Sequence, residues 1–151
     1  MARRVWVDGD SVAREARRLM ERHAGRRDYQ LIIVADRRIE LSHERSVTLV
    51  EVEQGDDAVD RYILDRLEAQ ELVVTRDILL AEAVIARGAY VINDRGKEFS
   101  EATISQRRQE RDMMKLLRES GMVRSGGHSY GKGDLRSFAN AFDIFLSKRL
   151  Q

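Results

Sequence analysis

Aspartates follow most of the short apolar runs in the first two thirds of this chain. "VWVDGDSV" (5–12) closes on Asp8-Gly9-Asp10, and "YQLIIVAD" (29–36) on Asp36. "GDDAVD" (55–60) carries Asp56, Asp57 and Asp60, "VVTRD" (73–77) ends at Asp77, and "VINDRG" (91–96) holds Asn93, Asp94 and Arg95. Two carboxylates about 4 Å apart repel by ~4 kcal/mol at an effective dielectric near 20. A group of them must raise one another's pKa values or take up a cation. Hard oxygen donors favour Mg²⁺ or Mn²⁺. One or two such ions activate water and stabilise a phosphodiester displacement. Aspartate is also a preferred residue at helix starts and in turns. Taken singly, Asp56, Asp57 and Asp77 read as helix-start residues, and Asp36 and Asp94 as turn residues. Asp8 and Asp10 flank one buried strand end and read as functional.

What positions these residues is an alternation of strands and helices. "RRVWVD" (3–8), "YQLIIVAD" (29–36), "SVTLVEV" (46–52), "LVVT" (72–75) and "AYVIN" (89–93) read as strands. Helical spacing is expected over 11–23, 56–70 and 77–88, the last stopped by Gly88. A charged helix is expected over 100–120, with Ile104, Met113, Leu116 and Leu117 among its inner positions. After a glycine-rich loop (121–134), a final helix carries Leu135, Phe138, Phe142, Phe145 and Leu146 on one face. Strands alternating with helices predict a three-layer α/β/α domain. Its central sheet is mostly parallel, of about four to five strands, and a helical portion follows. In such sheets ligands bind outside the carboxyl ends of the strands, and that is where the aspartates fall. Trp6, inside the first strand, reads as core.

Composition narrows the chemistry. The 151 residues fit a single domain, 1–151. Cysteine is absent, so disulfides, thiolate ligands and cysteine nucleophiles are excluded, and three histidines argue against a histidine-rich zinc site. No apolar run approaches the ~20 residues of a membrane span. The basic N-terminus lacks the apolar stretch of a signal peptide, so a cytoplasmic location and no membrane partner are expected. A net charge of +1 leaves the question of nucleic acid to the distribution of charge, and nothing in the chain argues against a homo-oligomer.

Asp8-Gly9-Asp10-Ser11-Val12 looks like the first motif of haloacid-dehalogenase-like phosphatases, in which Asp8 would be the nucleophile. There, however, the late acidic motif follows the Ser/Thr and Lys motifs. Here "GDDAVD" precedes Thr75 and Lys97, the first lysine in the chain. The chain instead resembles the YaiI/YqxD family, bacterial proteins with a PIN-like nuclease fold. The resemblance lies in "VDGDSV", "QGDDAVDRYI", "VVTRDILLAEAVIARGAYVINDRGKEF", "RRQERDMMKLLRESGMVRSGG" and "DLRSFANAFDIFL", in the family order and over nearly the whole length. It implies an acidic cluster of Asp8, Asp10, Asp57, Asp60 and Asp77, with Asn93 and Arg95 lining its edge and Gly96 making the turn. The chain departs from the family at Ser11-Val12, where Cys-Pro follows in the pattern. Leu79 replaces a proline, and His128 and Tyr130 replace the proline and aromatic after the Gly-Gly. The carboxylates survive these changes.

Arg107, Arg111, Lys115 and Arg118 recur along one stripe of the charged helix, which reads either as a solvated face or as a phosphate-contacting one. Arg124, His128, Tyr130 and Lys132 add cations and an aromatic in the glycine-rich segment, which reads either as a plain connector loop or as a surface suited to phosphate contacts and base stacking. The expectation is a metal-dependent nuclease acting on phosphodiester bonds, with RNA as partner and Mg²⁺ or Mn²⁺ as cofactor. The alternative is a non-catalytic nucleic-acid-binding module.

Overall fold

The computed structural model describes residues 3–41, 46–123 and 129–149. Strand β1 (Arg3–Asp8) alternates its faces: Val5 and Val7 enter one core cluster, Trp6 the other. It pairs in parallel with β2 (Tyr29–Ala35) on one side and β4 (Leu72–Val74) on the other. Strand β3 (Val47–Glu51) lies outside β2, and β5 (Tyr90–Ile92) outside β4, both parallel. A two-residue antiparallel β6 (Glu98–Phe99) completes the order β3-β2-β1-β4-β5-β6. That sixth strand was not expected, since two residues carry no periodicity to read.

Helices cover both faces, giving three layers. Helix α1 (Arg14–Ala24) and helix α5 (Lys132–Ile144), with its π-helical extension Phe145–Arg149, cover the Val5/Val7 face. Phe138, Phe142, Phe145 and Leu146 are buried there together, as their shared helical face predicts. Tyr29 meets Phe142 edge-on at 5.5 Å. Helices α2 (Ala58–Arg66), α3 (Ile78–Ala86) and α4 (Glu101–Glu119) cover the Trp6 face. Fully burying one such side chain contributes roughly 1.5–3 kcal/mol, so the two clusters supply the main drive to fold.

Helix α4 departs from the expected burial. Ile104 is buried, but Met113 is 57% and Leu116 62% exposed. At ~1.5 Å per residue, α4 outruns the short α3 that it packs against. Its C-terminal half is therefore left without a neighbour among the described residues. Among those residues, no helix is long and apolar enough to cross a membrane.

Two glycines are sterically required. A Cβ on Gly9 would lie 2.9 Å from Ile39 Cδ1 and 3.1 Å from the Val34 carbonyl oxygen. Gly9 thus lets the β1 end close onto β2, with its N–H donating to Val34 O at 2.8 Å. Gly96 has φ +84°, and a Cβ there would lie 2.4 Å from Ser137 O, so it seats the β5–β6 turn against α5.

Candidate functional site

The strand order reverses between β1 and β4, because the chain runs β1 to β2 to β3 and then returns to the far side of β1. Such a switch point opens a crevice at the carboxyl ends of the strands. The register decides what stands there. Val7 pairs with Val74, so the next step sets Asp8 beside Thr75. Side chains alternate along a strand, so Asp8 shares the Trp6 face, toward α2 and α3. Those helices begin with Asp57 and Asp77 as their N-cap residues.

Asp8 is 5% exposed. Its Oδ2 accepts from Thr75 Oγ1 at 2.8 Å and Ser11 Oγ at 2.9 Å, and its Oδ1 from the Asp10 N–H at 3.2 Å. Both hydroxyls are themselves held. The Arg76 N–H donates to Ser11 Oγ at 3.0 Å, and the Asp77 N–H to Thr75 Oγ1 at 3.0 Å. Asp77 Oδ1 accepts from the Leu79 N–H at 2.9 Å and so caps α3. Asp57 sits at φ +62°, a left-handed conformation that aspartate tolerates better than most residues, and makes no side-chain cap bond.

Asp8, Asp10, Asp36, Asp57, Asp60 and Asp77 line one open cleft of about 230 Å³, together with Ser11. Burial first, then the charges of Asp77, Asp8 and Asp57, push the Asp60 carboxyl up to about 7. Asp10, on the same cleft, also has partners at its rim. It accepts from the Asp36 N–H at 3.2 Å and pairs with Arg37 Nε at 3.6 Å. Burial, followed by Asp36 and Asp8, raises its pKa.

The sequence pattern itself has a parallel in known proteins. A family model described as "Uncharacterized BCR, YaiI/YqxD family" matches residues 6–148. The chain belongs to the YaiI/YqxD family. A YaiI/YqxD relative from Hahella chejuensis, named UPF0178 protein, is 37% identical over 96% of this chain and 97% of its own. UPF0178 proteins of Dechloromonas aromatica and Pseudoalteromonas atlantica are 35% and 33% identical, over 95% and 97% of this chain and 96% and 99% of their own. No solved structure matches significantly.

In this YaiI/YqxD chain the remaining expected site residues stand away from the acidic cleft. Asn93 Oδ1 accepts from the N–H groups of Arg95 and Lys97, both at 2.9 Å, and so ties the β5–β6 turn. Arg95 pairs with Asp134 at 3.3 Å and lies 5.9 Å from the Tyr130 ring. Arg107 pairs with Glu110 and Arg111 with Asp112 on α4. Lys115, Arg118 and Lys132 are exposed and do not line the cleft. Tyr130 is half-buried, its hydroxyl donating to Asp94 O at 2.6 Å. Arg124 and His128 lie outside the described residues.

Two residues are more than their sequence suggested. Asp94, expected as a turn residue, is fully buried and accepts from the Ala13 N–H at 2.7 Å. Arg76 Nε donates to it at 2.8 Å. This pair ties the start of α1 to the ends of β4 and β5. An arginine flanking the cleft motif "VVTRD" was the available signal.

The cleft offers carboxylate and hydroxyl oxygens with no imidazole or thiolate. In kind and in charge that suits Mg²⁺ or Mn²⁺. In the side-chain positions seen, no group of three or more Asp, Glu, His or Cys among the described residues is placed to hold an ion. The fit rests on donor type and on the crowding that raises Asp60.

Proposed function

We propose that the chain is a divalent-cation-dependent nuclease that hydrolyses phosphodiester bonds, with RNA as its expected substrate. The observation that carries this reading is the convergence of Asp8, Asp57, Asp60 and Asp77 on one cleft at the carboxyl ends of the strands, where burial and then the charges of Asp77, Asp8 and Asp57 push the Asp60 carboxyl up to about 7. A cation relieves such crowding, and a polyanionic substrate without one would be repelled by it.

Asp8, Asp57, Asp60 and Asp77 would hold Mg²⁺ or Mn²⁺. The bound ion supplies an activated water and positive charge at the phosphoryl group. The chain's own residues set the stage. Ser11 and Thr75 hold the Asp8 carboxylate in one orientation, the α3 N-cap fixes Asp77, and the left-handed Asp57 presents its carboxylate free of capping. Asp10, turned to Asp36 and Arg37, positions the rim.

A phosphatase with Asp8 as nucleophile is disfavoured, because both Asp8 oxygens accept hydrogen bonds and two hydroxyls crowd Oδ2. The same hydrogen bonds support a second reading, in which Asp8 is structural and the chain binds nucleic acid without turnover. Purified protein with Mn²⁺ and a labelled RNA separates the two. Cleavage is expected, with loss in EDTA and in Asp77→Asn. Cleavage undiminished in Asp77→Asn removes the acidic cleft as the catalytic site, and salt-dependent binding without turnover supports the second reading.

A further inference from the structure

On the opposite face of the same sheet edge lies a second cleft, of about 300 Å³, lined by five arginines and one glutamate. Arg14, Arg17 and Arg18 come from the first turns of α1, Arg37 and Arg38 from the segment after β2. Gly9 forms part of its wall. Helical geometry puts positions i, i+3 and i+4 on one side, so the three α1 arginines face one way. The 36–41 segment folds over them because Ile39 is buried against Gly9 and Ala35.

The cleft is charged by construction. Arg17 is 7% exposed, and among the described residues it reaches the Glu40 carbonyl at 3.4 Å and Glu21 at 3.9 Å. Burial, and then the like charges of Arg18, Arg37 and Arg14 against the pull of Glu21, lower its pKa. Arg14, Arg18 and Arg38 are exposed. Guanidinium groups gathered in one concavity attract anions, and their geometry matches phosphate oxygens in a bidentate manner.

Gly9 lines this cleft and its neighbour Asp10 lines the acidic one. Arg37 spans the Gly9–Asp10 turn, donating to Gly9 O at 3.5 Å and pairing with Asp10 at 3.6 Å. We propose that the arginine cleft binds the backbone phosphates of a single-stranded nucleic acid whose chain passes over the Gly9–Asp10 turn into the acidic cleft. The identity of the polyanion rests on the nuclease reading. The cationic cleft offsets the repulsion that the six carboxylates of the acidic cleft impose on such a strand. Its small volume suits one strand rather than a duplex. Charge is thus placed on α1 and the 37–38 segment rather than on the α4 stripe.

The test is binding without catalysis. A fluorescein-labelled single-stranded RNA oligonucleotide is titrated in EDTA, across a salt series, by fluorescence anisotropy. The triple variant Arg14→Ala/Arg18→Ala/Arg38→Ala removes exposed cations only, and circular dichroism checks its fold. Binding should weaken by about tenfold or more, and the slope of log K against log salt should fall by about 2, at ~0.7 for each phosphate no longer neutralised. Arg107→Ala/Lys115→Ala should bind as wild type. Millimolar inorganic phosphate or a nucleoside 5′-monophosphate should compete poorly; complete displacement by either would identify a small-anion pocket and overturn the strand assignment. A wild type that binds no RNA, a folded triple variant that binds as tightly, or loss confined to the α4 variant overturns it as well. Because the assay contains no divalent ion, a wild type that never cleaves RNA sinks the nuclease reading while leaving this result intact.

Discussion

Thr75 Oγ1 donates to Asp8 Oδ2 at 2.8 Å because the parallel register of β1 and β4 sets the two residues side by side. The bond lies at the buried end of the acidic cleft, and Thr75 is fully buried. Thr75→Val keeps the shape but removes the donor to Asp8 and the acceptor for the Asp77 N–H. Leaving a buried carboxylate short of a partner costs about 1–3 kcal/mol. Urea denaturation should show that loss in Thr75→Val and a much smaller one in Thr75→Ser. Equal stability of Thr75→Val and wild type would mean that the hydroxyl does not hold Asp8.

Asp60 should make the metal-free protein less stable as pH rises. Its carboxyl is pushed from the ordinary 3.8 to about 7 in the folded state, chiefly by burial and then by Asp77. Between those values the folded state binds more protons than the unfolded one, so folding stability falls with increasing pH across that window and levels off above it. Asp60→Asn removes the titration. In EDTA it should melt higher than wild type at pH 8, and the advantage should shrink toward pH 4. An Asp60→Asn melting difference that does not change with pH contradicts the crowding.

The sheet and the acidic edge were readable because both are written in local periodicity. Apolar runs such as "LIIVA" leave few alternatives to a buried strand, and an aspartate after each run must fall at the carboxyl edge. What periodicity cannot carry is the direction in which a rim side chain turns. Asp10 and Asp8 are two residues apart, yet Asp10 pairs with Arg37 and Asp8 with Thr75. Arg37 and Arg14 are brought to one cleft by the fold of the 36–41 segment over α1, which nothing local announces. Met113 and Leu116 sat at helical spacing like core residues, but a helix longer than its neighbour leaves its far turns uncovered.

Gly96 and Gly88 separate backbone strain from steric clash. Both adopt positive φ, +84° and +77°. A Cβ on Gly88 meets only the Ala69 Cβ, at an ordinary 3.6 Å, so Gly88→Ala should cost about 1–2 kcal/mol from the left-handed backbone alone. At Gly96 the added Cβ meets the rigid α5 backbone at 2.4 Å, so Gly96→Ala should cost clearly more, about 3 kcal/mol or above. Thermal melts of the two variants check the order. Equal losses would mean that α5 yields at Ser137.

Divalent ions should stabilise the folded chain through the acidic cleft even where no substrate is present. An ion that binds only the folded state adds about 2.7 kcal/mol at one hundred times its dissociation constant. For a chain of this size, that corresponds to a rise in melting temperature of roughly 2–4 °C per kcal/mol. Mn²⁺ added at pH 8, where Asp60 has lost its proton, should therefore raise the melting temperature by several degrees. At pH 5, with Asp60 protonated, the rise should be smaller. Asp77→Asn keeps an oxygen to accept from the Leu79 N–H, so α3 should stay capped and the fold intact. The variant should nevertheless lose most of the Mn²⁺ response. Differential scanning calorimetry of wild type and Asp77→Asn, each with and without Mn²⁺, measures it. An equal Mn²⁺ response in both proteins would place the ion somewhere other than the cleft between Asp8, Asp60 and Asp77.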